Sequence, residues 1–439
     1  MRPVGWSFAK GQGVFKFCVE NATVTTMIRK SCRKREKKQV RMSFLRPRKS
    51  WLGLLLGSAA FFSAASLQAA EPVLQTEQSD VVTLKPYSPH TILVEDAVYT
   101  HNKDGRVDVV DADRGVLLGM VQAAYNPNMV LAPDASRFYV GETTWARGNR
   151  GERNDLLAEY DAQTLKITAD EKLPSRALVT PKRNNLAINA DGGRVYVYQM
   201  SPANAVEVVD TKEHKVTQTV EIPGCALVYA WGNAGFSSVC ADGTLTNVSL
   251  GADGKASVTH STPFFEPDKD GIFEQSPSVV KDGSTYFISY SGKVYPTTLS
   301  ADSKVQAPWS LQEGAGLKAA SDASAPFEVT WRPGGWQMSA LHKDTHELYV
   351  LMHRGTFWTH KDSGTEVWVY NTDTHKRIRR MPLKVASTMV GVTQDATPLM
   401  FTADEDGNFF ISDARTGKLL RTMKGLGTSL IFTVAPGEG

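Results

Sequence analysis

Hydrophobic and polar positions alternate along most of this chain, which is the mark of strands that turn one side toward a core. One unit recurs: a β-rich run ending in Asp, Asn or Ser, a polar turn often carrying Gly or Lys, and a second β-rich run. It occurs as Val107–Asp111 before Val116–Val121, Leu157–Asp161 before Leu165–Thr168, and Val206–Asp210 before Val216–Val220. It returns as Val367–Asn371 before Arg377–Met381 and as Phe409–Asp413 before Leu419–Met423, with weaker copies at Leu245–Leu250 and Val294–Leu299. Most copies lie about 40 to 50 residues apart, the spacing of a four-stranded propeller blade.

A second unit interleaves with the first. Leu131–Ser136 leads into Phe138–Val140, Ile188–Gly193 into Val195–Tyr198, Leu341–His346 into Leu348–Met352, and Val392–Thr397 into Leu399–Phe401. Each turn is built on an Asp that caps its own backbone, with Gly or Ser nearby. Two hairpins per period give four strands per blade. The prediction is an all-β fold, a seven-bladed β-propeller of four-stranded blades over residues 71–439, with two stacked sandwiches as the alternative. Radial closure lets one all-β domain grow this large, because each blade covers its neighbours' faces. The interval between the fifth and sixth copies is longer. Its Gly-, Ala- and Ser-rich stretch, 313–326, is followed by Trp331-Arg-Pro-Gly-Gly-Trp336 and reads as an extended inter-blade loop that binds something or is disordered.

With 41% hydrophobic and 22% charged residues, the chain has the balance of a globular protein with a large core. The net charge of +3 hides an asymmetry. Residues 1–50 hold fourteen Lys or Arg against two Asp or Glu, a surplus of 12, so residues 51–439 carry 3 − 12 = −9. An acidic folded part argues against a nucleic-acid partner. Arg46, Arg48 and Lys49 precede an uncharged apolar run, 51–67, and then Gln68-Ala69-Ala70. Residues 42–70 therefore read as a secretory signal peptide cleaved after Ala69 or Ala70, leaving no membrane anchor; an uncleaved anchor is the competing reading. Residues 1–41 read as a misassigned start or an extension. Cleavage removes Cys18 and Cys32. The remaining pair, Cys225 and Cys240, is expected to form a disulfide in an oxidising compartment, with two free buried thiols as the alternative.

The search for chemistry yields no catalytic residue and no metal site. His342 and His346 flank a hairpin turn and read as solvated turn histidines, without the further ligands zinc needs. His353 and His360 flank a loop and either pack locally or reach a partner. Asp268, Asp270 and Glu274 read as a solvated acidic loop, and Asp404-Glu405-Asp406 as a charged hairpin tip, with a calcium site as the alternative. Trp145-Ala-Arg-Gly-Asn-Arg-Gly-Glu-Arg153 holds three arginines on a Gly-rich loop; it fits a carboxylate or a partner's acidic edge as well as it fits a structural salt-bridge loop.

Several stretches together carry a family resemblance: Ala146-Arg-Gly with Arg150-Gly-Glu-Arg153, Ser201-Pro-Ala with Val206–Asp210, Arg332-Pro-Gly-Gly-Trp-Gln337, and Thr359-His-Lys361 ahead of Val367–Tyr370. From about Pro86 onward the chain resembles the heavy (large) subunit family of bacterial periplasmic amine dehydrogenases, methylamine dehydrogenase foremost and aromatic amine dehydrogenase included. The resemblance implies a periplasmic seven-bladed propeller, and it places Cys225 and Cys240 at the family's heavy-chain disulfide. It implies assembly of two heavy with two light chains, the light chain carrying tryptophan tryptophylquinone. It further implies oxidation of a primary amine to an aldehyde and ammonia, with electrons passing to a blue-copper protein. In such an assembly this chain holds no cofactor; it scaffolds the light chain and shapes the substrate channel. The family's channel-lining aromatic maps to Tyr99, or to His101 if the comparison shifts. Arg147, Arg150, Arg153, Arg332 and Trp336 become candidates for the light-subunit interface, since Trp and Arg are typical anchors. The alternative is a stand-alone propeller that binds a ligand or a protein, because propellers host many functions.

Overall fold

The structure, a computed structural model, describes residues 82–439 apart from 99, 100, 102, 179, 180, 234, 252, 253, 428–430 and 439. The expected signal peptide and the residues before it lie outside the described residues, as does Tyr99. Seven antiparallel sheets follow one another. Blade one contains β1 (Thr91–Asp96), β2 (Arg106–Asp111) and β3 (Val116–Gln122). Blade two is β4 (Tyr125–Leu131), β5 (Arg137–Trp145), β6 (Arg153–Asp161) and β7 (Ile167–Leu173). Blade three is β8 (Leu186–Ile188), β9 (Arg194–Gln199), β10 (Ala205–Asp210) and β11 (Lys215–Glu221). Blade four is β12 (Cys225–Trp231), β13 (Gly235–Cys240), β14 (Leu245–Leu250) and β15 (Ala256–His260). Blade five is β16 (Ser278–Val279), β17 (Ser284–Ile288), β18 (Lys293–Thr298) and β19 (Lys304–Val305), with β20 (Trp309–Ser310) added to β18. Blade six is β21 (Thr330–Pro333) and β22 (Ser339–His342), both paired with β23 (Glu347–Gly355), then β24 (Gly364–Asn371) and β25 (Lys376–Ser387). Blade seven is β26 (Met389–Val392), β27 (Leu399–Ala403), β28 (Phe409–Asp413) and β29 (Leu419–Met423). The last strand, β30 (Ile431–Val434), pairs with β1 and supplies the innermost strand of blade one.

The period of two becomes physical in the packing between blades. Phe138 and Val140 of β5 pack with Leu93 and Val107 of blade one, whereas Tyr139 between them packs with Val195 and Val197 of blade three. Tyr196 and Tyr198 of β9 then face Val228 and Phe236 of blade four. Central strands are thus buried on both sides, and each fully buried Val or Phe contributes about 1.5–3 kcal/mol. The inner strands surround an axial channel of about 120 Å³, crossed by an ion pair of 2.5 Å between Arg183 and Glu438.

The two ends of the ring differ. Every third-to-fourth-strand connection, and in blades two to seven the connection into the second strand, is a short turn on the same end, here the turn face. In five blades the third strand ends on Asp111, Asp161, Asp210, Asn371 or Asp413, and that side chain accepts the backbone N–H three residues on at 2.7–3.0 Å. A one-residue bulge follows in each of these hairpins. The fifth turn residue is left-handed: Gly115, Leu165, His214, His375 and Gly417, with φ of 64°, 56°, 49°, 58° and 71°. Both sequence repeats map onto these hairpins. The second-to-third-strand and inter-blade connections gather on the other end, the loop face.

Four expectations need correction. The long interval before blade six is ordered: β20, a helical turn at Leu311–Gly314 capped by Ser310, and then a loop fixed to blade six. Within Trp331–Trp336, residues up to Pro333 form β21 rather than loop, because Thr330–Pro333 pair with Met352–Gly355. His342 is buried rather than solvated, with Nε2 3.0 Å from the Asp395 carbonyl of the next blade. Asp270 is likewise buried, accepting hydrogen bonds from the Ser289 and Ser291 hydroxyls and the Ser291 N–H at 2.6–2.9 Å. The acidic residues at 404–406 do form a turn tip, where Asp404 accepts the N–H groups of Asp406 and Asn408.

The disulfide forms. Cys225 and Cys240 lie directly opposite each other on β12 and β13, joined by an S–S bond of 2.07 Å. Their sequence separation is 15, and closing a loop of that size restricts the unfolded chain by about 3 kcal/mol. Replacing both cysteines by alanine should lower stability by that order, read as the shift in denaturant midpoint against the wild-type chain. Separately, His214 is exposed, so replacing it by glycine should raise stability by about 1 kcal/mol through relief of the left-handed backbone, visible as a higher melting temperature.

Candidate functional site

Backbone strain gathers at one corner of the loop face, Leu227 near the start of β12 being left-handed as well, with φ of 65°. Val98, Ala124 and Asn126 are left-handed, with φ of 44°, 45° and 51°. For a β-branched residue such as valine this is a rare conformation. Strain of this kind costs on the order of 1–3 kcal/mol per residue and gathers where geometry serves function. All three residues sit at the junction of blades one and two, on the connection after β1 and at the start of β4.

The two segments are tied together. The Gly105 N–H donates to the Ala124 carbonyl at 2.9 Å, and the Ala123 N–H donates to the Gly105 carbonyl at 2.6 Å. A Cβ on residue 105 would lie 2.5 Å from that Ala124 oxygen, so the approach requires glycine. The connection after β1 also folds on itself: Asp96 accepts the Val98 N–H at 2.9 Å and holds Arg106 at 3.0 Å. Lys103 reaches across to the Gly148 carbonyl at 3.2 Å and lies over the Trp145 ring, which meets Tyr125 edge-on at 5.2 Å.

Beneath this corner lies a buried guanidinium. Arg176, on the connection from blade two to blade three, donates from Nη2 to the Tyr125 and Asn126 carbonyls at 2.6 and 2.8 Å. Its Nε donates to the Thr143 hydroxyl at 2.9 Å, and that hydroxyl donates to Asp155 at 2.5 Å. Asp155 in turn takes Arg153 at 2.9 and 2.6 Å. Burial pushes Arg176 down to about 10, which leaves it charged at neutral pH. It also pushes the Glu95 carboxyl up to about 8, although Glu95 accepts the Met129 N–H at 3.0 Å, and Glu142 up to about 7.

The sequence-predicted residues divide between this corner and a distant blade. His101 is exposed here, with its N–H bonded to the Val98 carbonyl at 2.7 Å, and Tyr99 belongs to the same connection by sequence. Arg147 and Arg150 are exposed on the β5–β6 connection, while Arg153 is held by Asp155. Arg332 and Trp336 belong to blade six. Arg332 is only 1% exposed; it donates to the Ser321 carbonyl at 2.7 Å and so holds the ordered connection from below. Trp336 is half-buried, with the Lys361 ammonium 4.6 Å from its ring centre. Sequence reasoning missed Arg176, Thr143 and Glu95. Among the described residues, no three His, Cys, Asp or Glu side chains group as metal ligands would.

Fold and site together define a closed seven-bladed propeller whose loop face is irregular and carries arginine and aromatic side chains at this corner. Residues 90–435 match the methylamine dehydrogenase heavy chain family, and the chain belongs to that family. It is 32% identical over 324 residues to the methylamine dehydrogenase heavy chain of Paracoccus versutus, covering 73% of each chain. It is 30% identical over 352 residues to that of Methylobacillus flagellatus, covering 79% of this chain and 82% of the relative. Among solved structures, a dihydro-heme d1 dehydrogenase superposes with a TM-score of 0.52 at 14% identity, covering 83% of this chain and 79% of that one. A putative 6-phosphogluconolactonase from Bacteroides uniformis gives 0.51 at 12% identity, covering 79% and 100%. Both likenesses concern the propeller fold alone.

One consequence concerns pH. In the unfolded chain Glu95 ionises near its ordinary 4.5, but in the folded chain it keeps its proton to about 8. Its contribution to stability is therefore full at low pH and is lost as pH rises through that window. Glu95→Gln should flatten this fall, measured as denaturation midpoints at about pH 5 and about pH 8. A wild-type midpoint that falls no further than the variant's counts against the assignment.

Proposed function

We propose that this chain is the heavy subunit of a periplasmic quinoprotein amine dehydrogenase that oxidises a primary amine, methylamine first among the candidates. The observation that carries the reading is the family match across the whole propeller, with relatives of like name aligned over most of their length. A heavy chain presupposes a lighter partner, and the arginine-bearing loop face is the surface assigned to it. Tryptophan tryptophylquinone belongs in that partner. Among the described residues Trp331 and Trp368 lie 5.1 Å apart, but Trp368 is sealed in a core with its Nε1–H donated to Glu366, where no amine reaches it.

The overall reaction converts amine and water to aldehyde and ammonia and releases two protons and two electrons, the electrons passing through the partner to a blue-copper protein. This chain contributes no group to bond making. It orients the partner and shapes the approach to it from the connection after β1, where Tyr99 and His101 are the candidates to line the amine's path. Two heavy and two light chains make up the assembly.

Purification from the native host should bring down a smaller, Cys-rich chain with quinone absorbance, and the preparation should reduce a dye only when amine is added. A heavy chain that purifies alone, inert toward amines, would return the reading to a stand-alone binding propeller.

A further inference from the structure

We propose that Arg176 is a positioning residue: it fixes the strained connection between β1 and β2 on the loop face and through it sets which amines the assembled enzyme accepts. The second half rests on the function proposed above; the first stands on this chain alone.

The argument begins with the carbonyls. Left-handed backbone at Ala124 and Asn126 accompanies an irregular start to β4, where the pairing with β5 shifts register between Tyr125 and Asn128. Asn126 falls in that gap in the ladder and Tyr125 is at its edge, and buried carbonyls beside such a gap need donors. Arg176 supplies both from one nitrogen, and its planar fork reaches Thr143 and the Asn128 side chain (3.4 Å) as well. Lysine, with one compact ammonium, cannot span that set. Asp155, the nearest carboxylate in the chain of hydrogen bonds, is reached only through the Thr143 hydroxyl and is itself paired with Arg153. The arrangement therefore serves the two carbonyls rather than an ion pair.

Those carbonyls belong to the segment on which the β1–β2 connection rests. Ala124 accepts the Gly105 N–H, Ala123 donates to Gly105, and Val98 is held left-handed at the far end of the same connection. Extended residues at these positions would give a simpler strand and would remove the strain. A buried cation that maintains the strained path fixes where His101 and Lys103 stand on the loop face. Arg176 touches neither of them, so it acts through the backbone.

Arg176→Lys and Arg176→Met test both halves. In the full-length chain, hydrogen exchange at the Gly105 and Ala123 amides should quicken by about tenfold or more, since a hydrogen-bonded charge of this kind stabilises by more than a neutral bond. The Gly243 amide in blade four, bonded to the Cys240 carbonyl, should not change. Unchanged exchange at Gly105 and Ala123 in a folded variant would overturn the positioning role. If methionine prevents folding, lysine and Thr143→Val carry the test. In the assembled enzyme, the ratio of kcat/KM for methylamine to that for 2-phenylethylamine should shift by about tenfold, with quinone absorbance retained. A purely structural role would lower melting temperature and yield but leave that ratio fixed, which would overturn the selectivity half. If the wild-type assembly oxidises no amine, the proposed function fails, while the exchange measurement still decides the positioning role.

Discussion

Four residue pairs between β1 and β30 close the ring, and the rest of the molecule depends on them. A propeller blade is buried on both sides only if it has a neighbour on both sides. Left open, blade one would expose Ile92 and Val94, and blade seven would expose Phe401, Phe409 and Ile411. The closure is reinforced on the turn face, where His90 lies 2.8 Å from Asp113 of blade one and 3.2 Å from Asp395 of blade seven. Asp395 is held down at about 2, chiefly by the Thr393 and Thr397 hydrogen bonds that outweigh its burial, so it is a carboxylate under all ordinary conditions. Because the closing strand comes from the far end of the chain, these contacts are long-range and raise the contact order of the fold.

The ring was legible because its turns are local. Asp at the end of a strand, with a hydroxyl or amide three residues on, satisfies its own backbone without help from another blade. The signal therefore survives in a short window and repeats with the blade. What escaped the sequence depends on remote partners. Nothing around His342 announces the Asp395 carbonyl that removes it from water. Nothing around Asp270 announces that Ser289 and Ser291 will cover it. Composition likewise misjudged residues 313–326, because small residues suggest freedom. Their order comes from the buried Arg332 and from Glu328, whose carboxylate takes the Ser321 N–H at 2.8 Å.

The candidate site was legible by half, and for the same reason. The arginines at 147, 150 and 153 stood out as unusual residues between strands, His101 entered only through the family resemblance, and the fold gathers their connections at one corner. Arg176 did not, because Pro-Ser-Arg-Ala reads as an ordinary connection, and a left-handed valine or alanine has no signature in sequence. Arg332 and Trp336 were noticed but lie on blade six, since spacing along the chain does not reveal position around a ring.

The two faces follow different physical rules, and that division lets one repeated fold carry a specific site. On the turn face most hairpins cap themselves with an Asp or Asn, and contacts between neighbouring blades, such as His342 to the Asp395 carbonyl, are added to a turn that is already closed locally. On the loop face the connections vary widely, from the single residue between β25 and β26 to residues 261–277 between β15 and β16, and some of their polar groups are satisfied across blades: Arg176, on the connection into blade three, serves the start of blade two, and Lys103 of blade one serves Gly148 of blade two. Interdependence of this kind cannot be copied from blade to blade. It fixes irregular backbone at particular places, and a surface fixed in that way before any partner arrives loses less entropy when one docks.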